Sequence, residues 1–278
     1  MRDGVPLVHH PLFSFREVFA IEATLQPHTN VINHDITLLQ DPNGFMFGTD
    51  ALLLSAYLPK MPYGTALELG AGNGVVSLLA ARRRAFSKIY AVEIQTGAAS
   101  LAKQNVAANQ MENTVTILQK DIRLLQNDIP PGSVDCVFSN PPYMKSGEGK
   151  VSPSDARQTA RHEENGTIFD FCRVAAKLTK FGGSFVSVYR PDRLESLFAA
   201  LRETGFAPKR MTMVYRDHRH TPSLVLTEAK RGGKEGLYCT PPLILMCEDG
   251  TPFDTYTYIL EKGEFNEQFR IPIGRRKE

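Results

Sequence analysis

The chain has 278 residues, of which 42% are apolar and 22% charged, and a formal net charge of +2. This length supports one large core, and the composition is that of an ordinary globular protein. The longest apolar run, residues 51–58, is too short to span a bilayer. The N-terminus has no sustained apolar region of the kind a secretory signal needs, so a cytoplasmic protein with no membrane partner is expected.

The four cysteines, Cys136, Cys172, Cys239 and Cys247, include no Cys-x-x-Cys pair, so neither a metal nor a disulfide is expected. The charge is unevenly spread: basic residues outnumber acidic ones between Lys145 and Lys234, and the remainder is acidic. A solvated basic face and a polyanionic partner such as RNA both fit that bias.

Residues 1–35 mix Pro, His, Phe and Glu without a clear period and read as an extension. Thr37–Gln40 and Phe45–Phe47 read as two short strands around the turn Asp41-Pro42-Asn43-Gly44. The Ala/Leu run after Gly48-Thr49-Asp50 predicts a helix that Thr49 or Asp50 can cap. Ala66–Leu69, Ile89–Glu93, Val115–Leu118 and Val134–Ser139 read as strands. Val75–Arg84 and Thr96–Asn109 lie between the first three as helices. This alternation predicts a parallel sheet covered on both faces.

Residues 144–165 form a polar stretch long enough to suggest function. Beyond it come a helix (168–180), a strand (184–189), a helix (192–204) and two strands near 211–215 and 223–227 that form an antiparallel hairpin. The chain past Tyr238 reads as a strand-poor tail, so one domain over 36–245 is flanked by an extension and a tail over 246–278.

Two motifs carry chemistry. Gly70-Ala71-Gly72-Asn73-Gly74 follows the first strand, where alternate glycines permit unusual dihedrals and a close ligand approach. Val75 occupies the position where a dinucleotide fingerprint would place its last glycine, which weighs against a nicotinamide cofactor. Glu68, just before the turn, offers a carboxylate to an ammonium. Glu93 closes the next strand about twenty residues on, where a carboxylate can accept from both hydroxyls of a ribose. Ile94 follows it. Asp121 could accept from an adenine amine while Ile122 packs on the ring, or it could simply cap the following helix.

The second motif, Asn140-Pro141-Pro142-Tyr143, ends the fourth strand. Its prolines fix the backbone and leave carbonyls free to accept. An exocyclic amine is a poor nucleophile because its lone pair is delocalised into the ring. Accepting its two protons on the Asn140 side chain and the Pro141 carbonyl would favour a more tetrahedral nitrogen, while Tyr143 offers a face for the base. Such a loop beside a nucleotide-type pocket points to methyl transfer onto a planar nitrogen.

On these residues the chain resembles the class I S-adenosylmethionine-dependent methyltransferases carrying Asn-Pro-Pro-Tyr, and among them the tRNA1(Val) adenine-37 N6-methyltransferase family. The match includes Phe47-Gly48-Thr49-Asp50-Ala51, the glycine turn, Glu93, Asn140 to Tyr143, Ala160-Arg161-His162-Glu163, Arg190-Pro191-Asp192-Arg193-Leu194 and Arg231-Gly232-Gly233-Lys234.

The resemblance implies an α/β, Rossmann-like fold whose seven-stranded, mostly parallel sheet ends in an antiparallel hairpin. It places the methionine end of S-adenosylmethionine near Thr49, Glu68, Gly70 and Gly72, the ribose at Glu93 and the adenine at Asp121. Asn140, Pro141 and Tyr143 would hold the target amine, and Arg157 and Arg161 would reach the phosphates of a nucleic acid, with tRNA the expected partner. A protein glutamine-N5 methyltransferase uses the same planar-amide chemistry, but such enzymes usually carry a long helical N-terminal domain. A non-catalytic RNA-binding module would be expected to have lost Asn140 or a glycine.

Overall fold

The computed structural model describes residues 28–32, 36–40, 47–141 and 166–270. The strands are β1 (His28–Ile32), β2 (Ile36–Gln40), β3 (Met61–Leu69), β4 (Phe86–Glu93), β5 (Val115–Gln119), β6 (Val134–Ser139), β7 (Thr179–Tyr189), β8 (Phe206–Tyr215), β9 (Pro222–Arg231), β10 (Tyr238–Cys239) and β11 (Leu243–Ile244). The α-helices are α1 (Thr49–Tyr57), α2 (Val75–Arg82), α3 (Thr96–Ala108), α4 (Ile168–Leu178), α5 (Leu194–Glu203) and α6 (Asp254–Lys262).

Strands β3 to β9 form one sheet in the order β8-β9-β7-β6-β3-β4-β5, and the short β10 and β11 both pair with β8 to bring the sheet to nine strands. All of its pairings are parallel except those of β9, which runs antiparallel to both β7 and β8. The expected seven-stranded sheet with its antiparallel hairpin is therefore present, widened at one edge by two strands too short to show a period.

Side-chain alternation builds the layers. Ala66, Cys136 and Phe138 face one core cluster with α1, α2 and α6, whereas Leu67, Leu69 and Val137 face a second with α4 and α5. The strands are apolar on both sides because both faces are covered.

Three sequence expectations change. First, β2 pairs antiparallel with β1, from the segment read as an extension, while residues 41–46 lie outside the described ones. Asn105 on α3 and Asn109 at its C-cap, one turn apart, extend the hold on β2. Asn109 exchanges hydrogen bonds with the Thr37 backbone (2.9 and 2.7 Å) and buried Asn105 with that of Leu39 (2.7 and 3.0 Å). Each satisfies backbone groups as a strand would.

Second, the cap of α1 is Gly48, so Thr49 and Asp50 are instead its first residues. Third, the chain beyond Tyr238 is part of the core. Tyr256, Ile259, Phe265 and Phe269 are buried, and Phe265 packs edge-on against Tyr57 and Phe269. Arg210 ties this segment down by donating to the carbonyls of Phe269 (3.1 Å) and Tyr57 (2.9 Å) and pairing with Glu228 at 3.0 Å. Among the described residues no helix is long and apolar enough to cross a membrane, and no metal-ligating cluster occurs.

Candidate active site

Leu69 at the end of β3 pairs with Val92 of β4 on one side and with Ser139 of β6 on the other. The chain leaves β3 toward β4 and β5, then returns to place β6 on the opposite flank. The crevice beyond the carboxyl ends of β3 and β6 is thus the topological switch point, where open α/β sheets bind ligands. Gly70, Glu93, Asp121 and Asn140, chosen from separate stretches of sequence, all lie at or just past strand ends on this edge. The Ser139 hydroxyl donates to the Leu69 carbonyl at 2.7 Å and locks the two strands together there.

The glycine turn is built as its spacing suggests. Gly70, Gly72 and Gly74 have φ of 74°, 56° and 82°, in the left-handed region that other residues seldom adopt. The Gly70 and Ala71 amides both donate to the Val92 carbonyl, which presses the turn onto β4. A Cβ on Gly74 would lie 3.3 Å from Ala102, so α3 packs closely there, whereas a Cβ on Gly72 would meet nothing within 4 Å. Gly72 therefore faces open space where a ligand can approach the backbone.

Glu93, 6% exposed, accepts from the Gly72 amide at 2.9 Å and the Gln95 amide at 2.8 Å, one on each carboxylate oxygen. A carboxylate has roughly four lone-pair positions, so it retains capacity for the two hydroxyls of a ribose. Ile94 beside it is 38% exposed and offers an apolar surface to one face of a ring.

Glu68 differs from expectation. It is 1% exposed and lies beneath the turn, accepting from the Ser77 amide at 3.1 Å and from the Ser77 hydroxyl. Burial pushes its carboxyl up to about 8, against the Ser77 hydrogen bonds, and Glu93 adds to the rise. The group meant to meet an ammonium is enclosed and ties the turn to α2. Asp121 takes its alternative role, capping the turn Ile122–Asn127 through the Arg123 amide. Its side chain also accepts from Arg123 Nε at 2.9 Å, and that guanidinium holds its carboxyl below the usual range. Ile122 is a core residue, 7% exposed.

Asn140 stands just past β6, and its Nδ2 donates to Asp50 Oδ2 at 2.8 Å. Asp50 Oδ1 accepts in turn from the Ala51 amide at 2.9 Å. Pro141 is buried behind it. Thr49 is the first residue of α1 and is half-buried. Tyr143, Arg157 and Arg161 lie outside the described residues.

Sequence reasoning missed Asp50 as Asn140's partner and Asn105 behind the turn (donating to the Asn73 carbonyl at 3.0 Å). The Phe-Gly-Thr-Asp stretch was a signal for the first. A lone Asn inside a helix carries none.

Residues 43–186 match the family model of the methyltransferase small domain. The chain is 30% identical over 178 residues to a Bacteroides fragilis protein named tRNA1(Val) (adenine(37)-N6)-methyltransferase, covering 64% of this chain and 74% of that one. It is 30% identical over 188 residues to a Tolumonas auensis protein of the same name, covering 67% and 77%.

Among solved structures, a predicted O-methyltransferase from Agrobacterium tumefaciens superposes with a TM-score of 0.63 at 20% identity, covering 78% of this chain and 97% of that one. M. jannaschii TYW2 in complex with AdoMet superposes at 0.50 and 12%, covering 76% and 89%. These two likenesses concern the fold. A parallel sheet with its crevice at the switch point, a glycine turn clasped by Glu93 and an asparagine on the facing strand lead to the same place as the family match: the chain belongs to the methyltransferase small-domain family, a group of class I enzymes that use S-adenosylmethionine.

Proposed function

We propose that this methyltransferase moves the methyl group of S-adenosylmethionine to the exocyclic N6 of an adenine in RNA, with tRNA as the substrate. The observation that carries the reading is Asn140, held at the switch point on the strand that faces the glycine turn. The substrate class draws on the curated relatives, which are named for N6-methylation of adenine 37 in tRNA1(Val).

The residues present fit the cofactor. Gly72 leaves room beside the backbone, Glu93 is an acceptor for ribose hydroxyls, and Ile94 is an exposed apolar surface for a ring. When bound, S-adenosylmethionine supplies an electrophilic methyl on a sulfonium. The chain's own part is orientation and charge stabilisation. Asn140 Oδ1 and the Pro141 carbonyl accept the two amine protons, so positive charge growing on the nitrogen meets prepared acceptors. The rigid Pro-Pro backbone fixes the line of approach. Anticodon-loop adenines are already unpaired or easily splayed, so presenting one costs little. Tyr143 as the stacking face and Arg157 and Arg161 as phosphate contacts complete the reading.

The test incubates the full chain with methyl-labelled S-adenosylmethionine and unmodified bulk tRNA, followed by nuclease digestion and mass spectrometry of the nucleosides. Labelled N6-methyladenosine is expected, and Asn140→Ala should lower kcat about 100-fold or more while cofactor affinity stays nearly unchanged. Label appearing instead on glutamine of a translation factor would overturn the RNA substrate. An Asn140→Ala enzyme keeping more than about a tenth of wild-type kcat would remove Asn140 from the chemistry.

A further inference from the structure

We propose that Asp50 is a positioning residue that fixes the side-chain amide of Asn140 in the one orientation methyl transfer can use. The inference rests on the reading of Asn140 as the acceptor of the amine protons. A planar carboxamide has a donor arm and an acceptor arm of nearly equal size, and a 180° turn about its last bond exchanges them. In one setting Asn140 accepts from a target amine; in the other it presents N–H groups to N–H groups and repels it.

Asp50 resolves the choice by electrostatics. An ionised carboxylate only accepts, so the arm of Asn140 facing it must be Nδ2, as found at 2.8 Å. Oδ1 then lies on the other arm. A charge-assisted hydrogen bond of this kind is about twice as strong as a neutral one.

The surroundings show that Asp50 is itself held. Its Oδ1 takes the Ala51 amide at 2.9 Å, in the first turn of α1, where the helix dipole favours an anion. The preceding residue leaves space for it: a Cβ on Gly48 would fall 2.6 Å from Asp50 Oδ1, closer than atoms can approach. Gly48 has φ of −120°, a conformation open to any residue, so the backbone does not require glycine here. The close approach of the Asp50 carboxylate does.

The experiment compares Asp50→Ala, Asp50→Asn, Gly48→Ala, Asn140→Ala and the double variant Asp50→Ala/Asn140→Ala of the full chain. Kinetics are run with saturating S-adenosylmethionine, and cofactor affinity is measured by calorimetry. Asp50→Ala should lower kcat about 10- to 100-fold with little change in cofactor Kd, because a misplaced reacting group costs up to about 100-fold. Asp50→Asn, which can still accept from Nδ2, should recover much of that loss. Gly48→Ala should reproduce the loss while the carboxylate is still present. The double variant should be no slower than Asn140→Ala alone, as expected of residues acting as one unit.

Additive losses overturn the proposal. So does an Asp50→Ala loss that appears in cofactor Kd with kcat unchanged, which would make Asp50 a cofactor ligand. If Asn140→Ala is impaired but Asp50→Ala is within twofold of wild type, the inference fails and the catalytic reading stands. If Asn140→Ala itself is unimpaired, it is the catalytic reading that fails.

A readout independent of turnover comes from the Asn140 side-chain amide resonances, identified by their absence in Asn140→Ala. They should be shifted and protected from exchange in wild type and Asp50→Asn but not in Asp50→Ala or Gly48→Ala. Identical resonances in wild type and Asp50→Ala would overturn the proposal whatever the substrate.

Discussion

Replacing Glu68 by Gln tests the buried carboxyl beneath the glycine turn. Glu68 is 1% exposed, and its carboxyl is pushed from an ordinary value of 4.5 up to about 8 by burial. Between those values the folded chain keeps a proton that the unfolded chain has released. The stability contributed by this group is therefore fully present below 4.5 and is lost as pH rises through 8. The complete difference corresponds to about 5 kcal/mol, most of which falls between pH 5 and 8.

Glutamine keeps the shape and an oxygen for the Ser77 amide but carries no charge at any pH. The stability difference, Glu68→Gln minus wild type, should thus grow in favour of the variant by about 3 to 4 kcal/mol from pH 5 to 8. Urea unfolding of the cofactor-free proteins at four pH values measures it, and histidines and other groups common to both chains cancel in the difference. Parallel curves for the two proteins would show that Glu68 titrates normally and that the enclosure does not govern its proton.

Glu93→Ala leaves the Gly72 and Gln95 amides without their acceptor, so unfolding free energy should fall by about 1 to 3 kcal/mol and S-adenosylmethionine should bind more weakly by calorimetry. Unchanged affinity would leave Glu93 a structural brace. Arg210→Ala leaves the Phe269 and Tyr57 carbonyls without their donor and Glu228 with only Lys230 and Ser184, and a loss of about 1 to 3 kcal/mol is expected in chemical unfolding. Phe269→Ala should cost about 3 to 5 kcal/mol because the ring is 1% exposed and packed on Phe265. A loss under about 0.5 kcal/mol, typical of surface positions, would mean that the C-terminal segment does not belong to the core.

The elements read most directly from sequence were those whose local pattern leaves one choice. Short apolar strands alternating with helices require a covered parallel sheet, and Gly70, Gly72 and Gly74 lie at positive φ as their spacing implies. The place of Asn140 just past β6 was legible because a rigid Pro-Pro cannot continue a strand. Those signals lie within a few consecutive residues, and local sterics suffice to decode them.

What sequence left open depended on partners far along the chain. Whether Glu68 meets a ligand or lies under the turn depended on the packing of α2, whose burial of the carboxyl holds its proton against the Ser77 hydrogen bonds. Whether Asp121 caps a turn or stays open depended on where the Arg123 guanidinium came to rest. The segment beyond Tyr238 became core because Arg210 is buried against Tyr57, Glu228 and the Phe269 carbonyl. Asp50 and Asn140 are separated by 90 residues and meet at 2.8 Å only once β6 lies beside β3. Sequence determined which groups could do the chemistry, since residue type and spacing set local conformation. Only the tertiary structure decided which way they face, because desolvation and hydrogen-bond partners are properties of the packed chain.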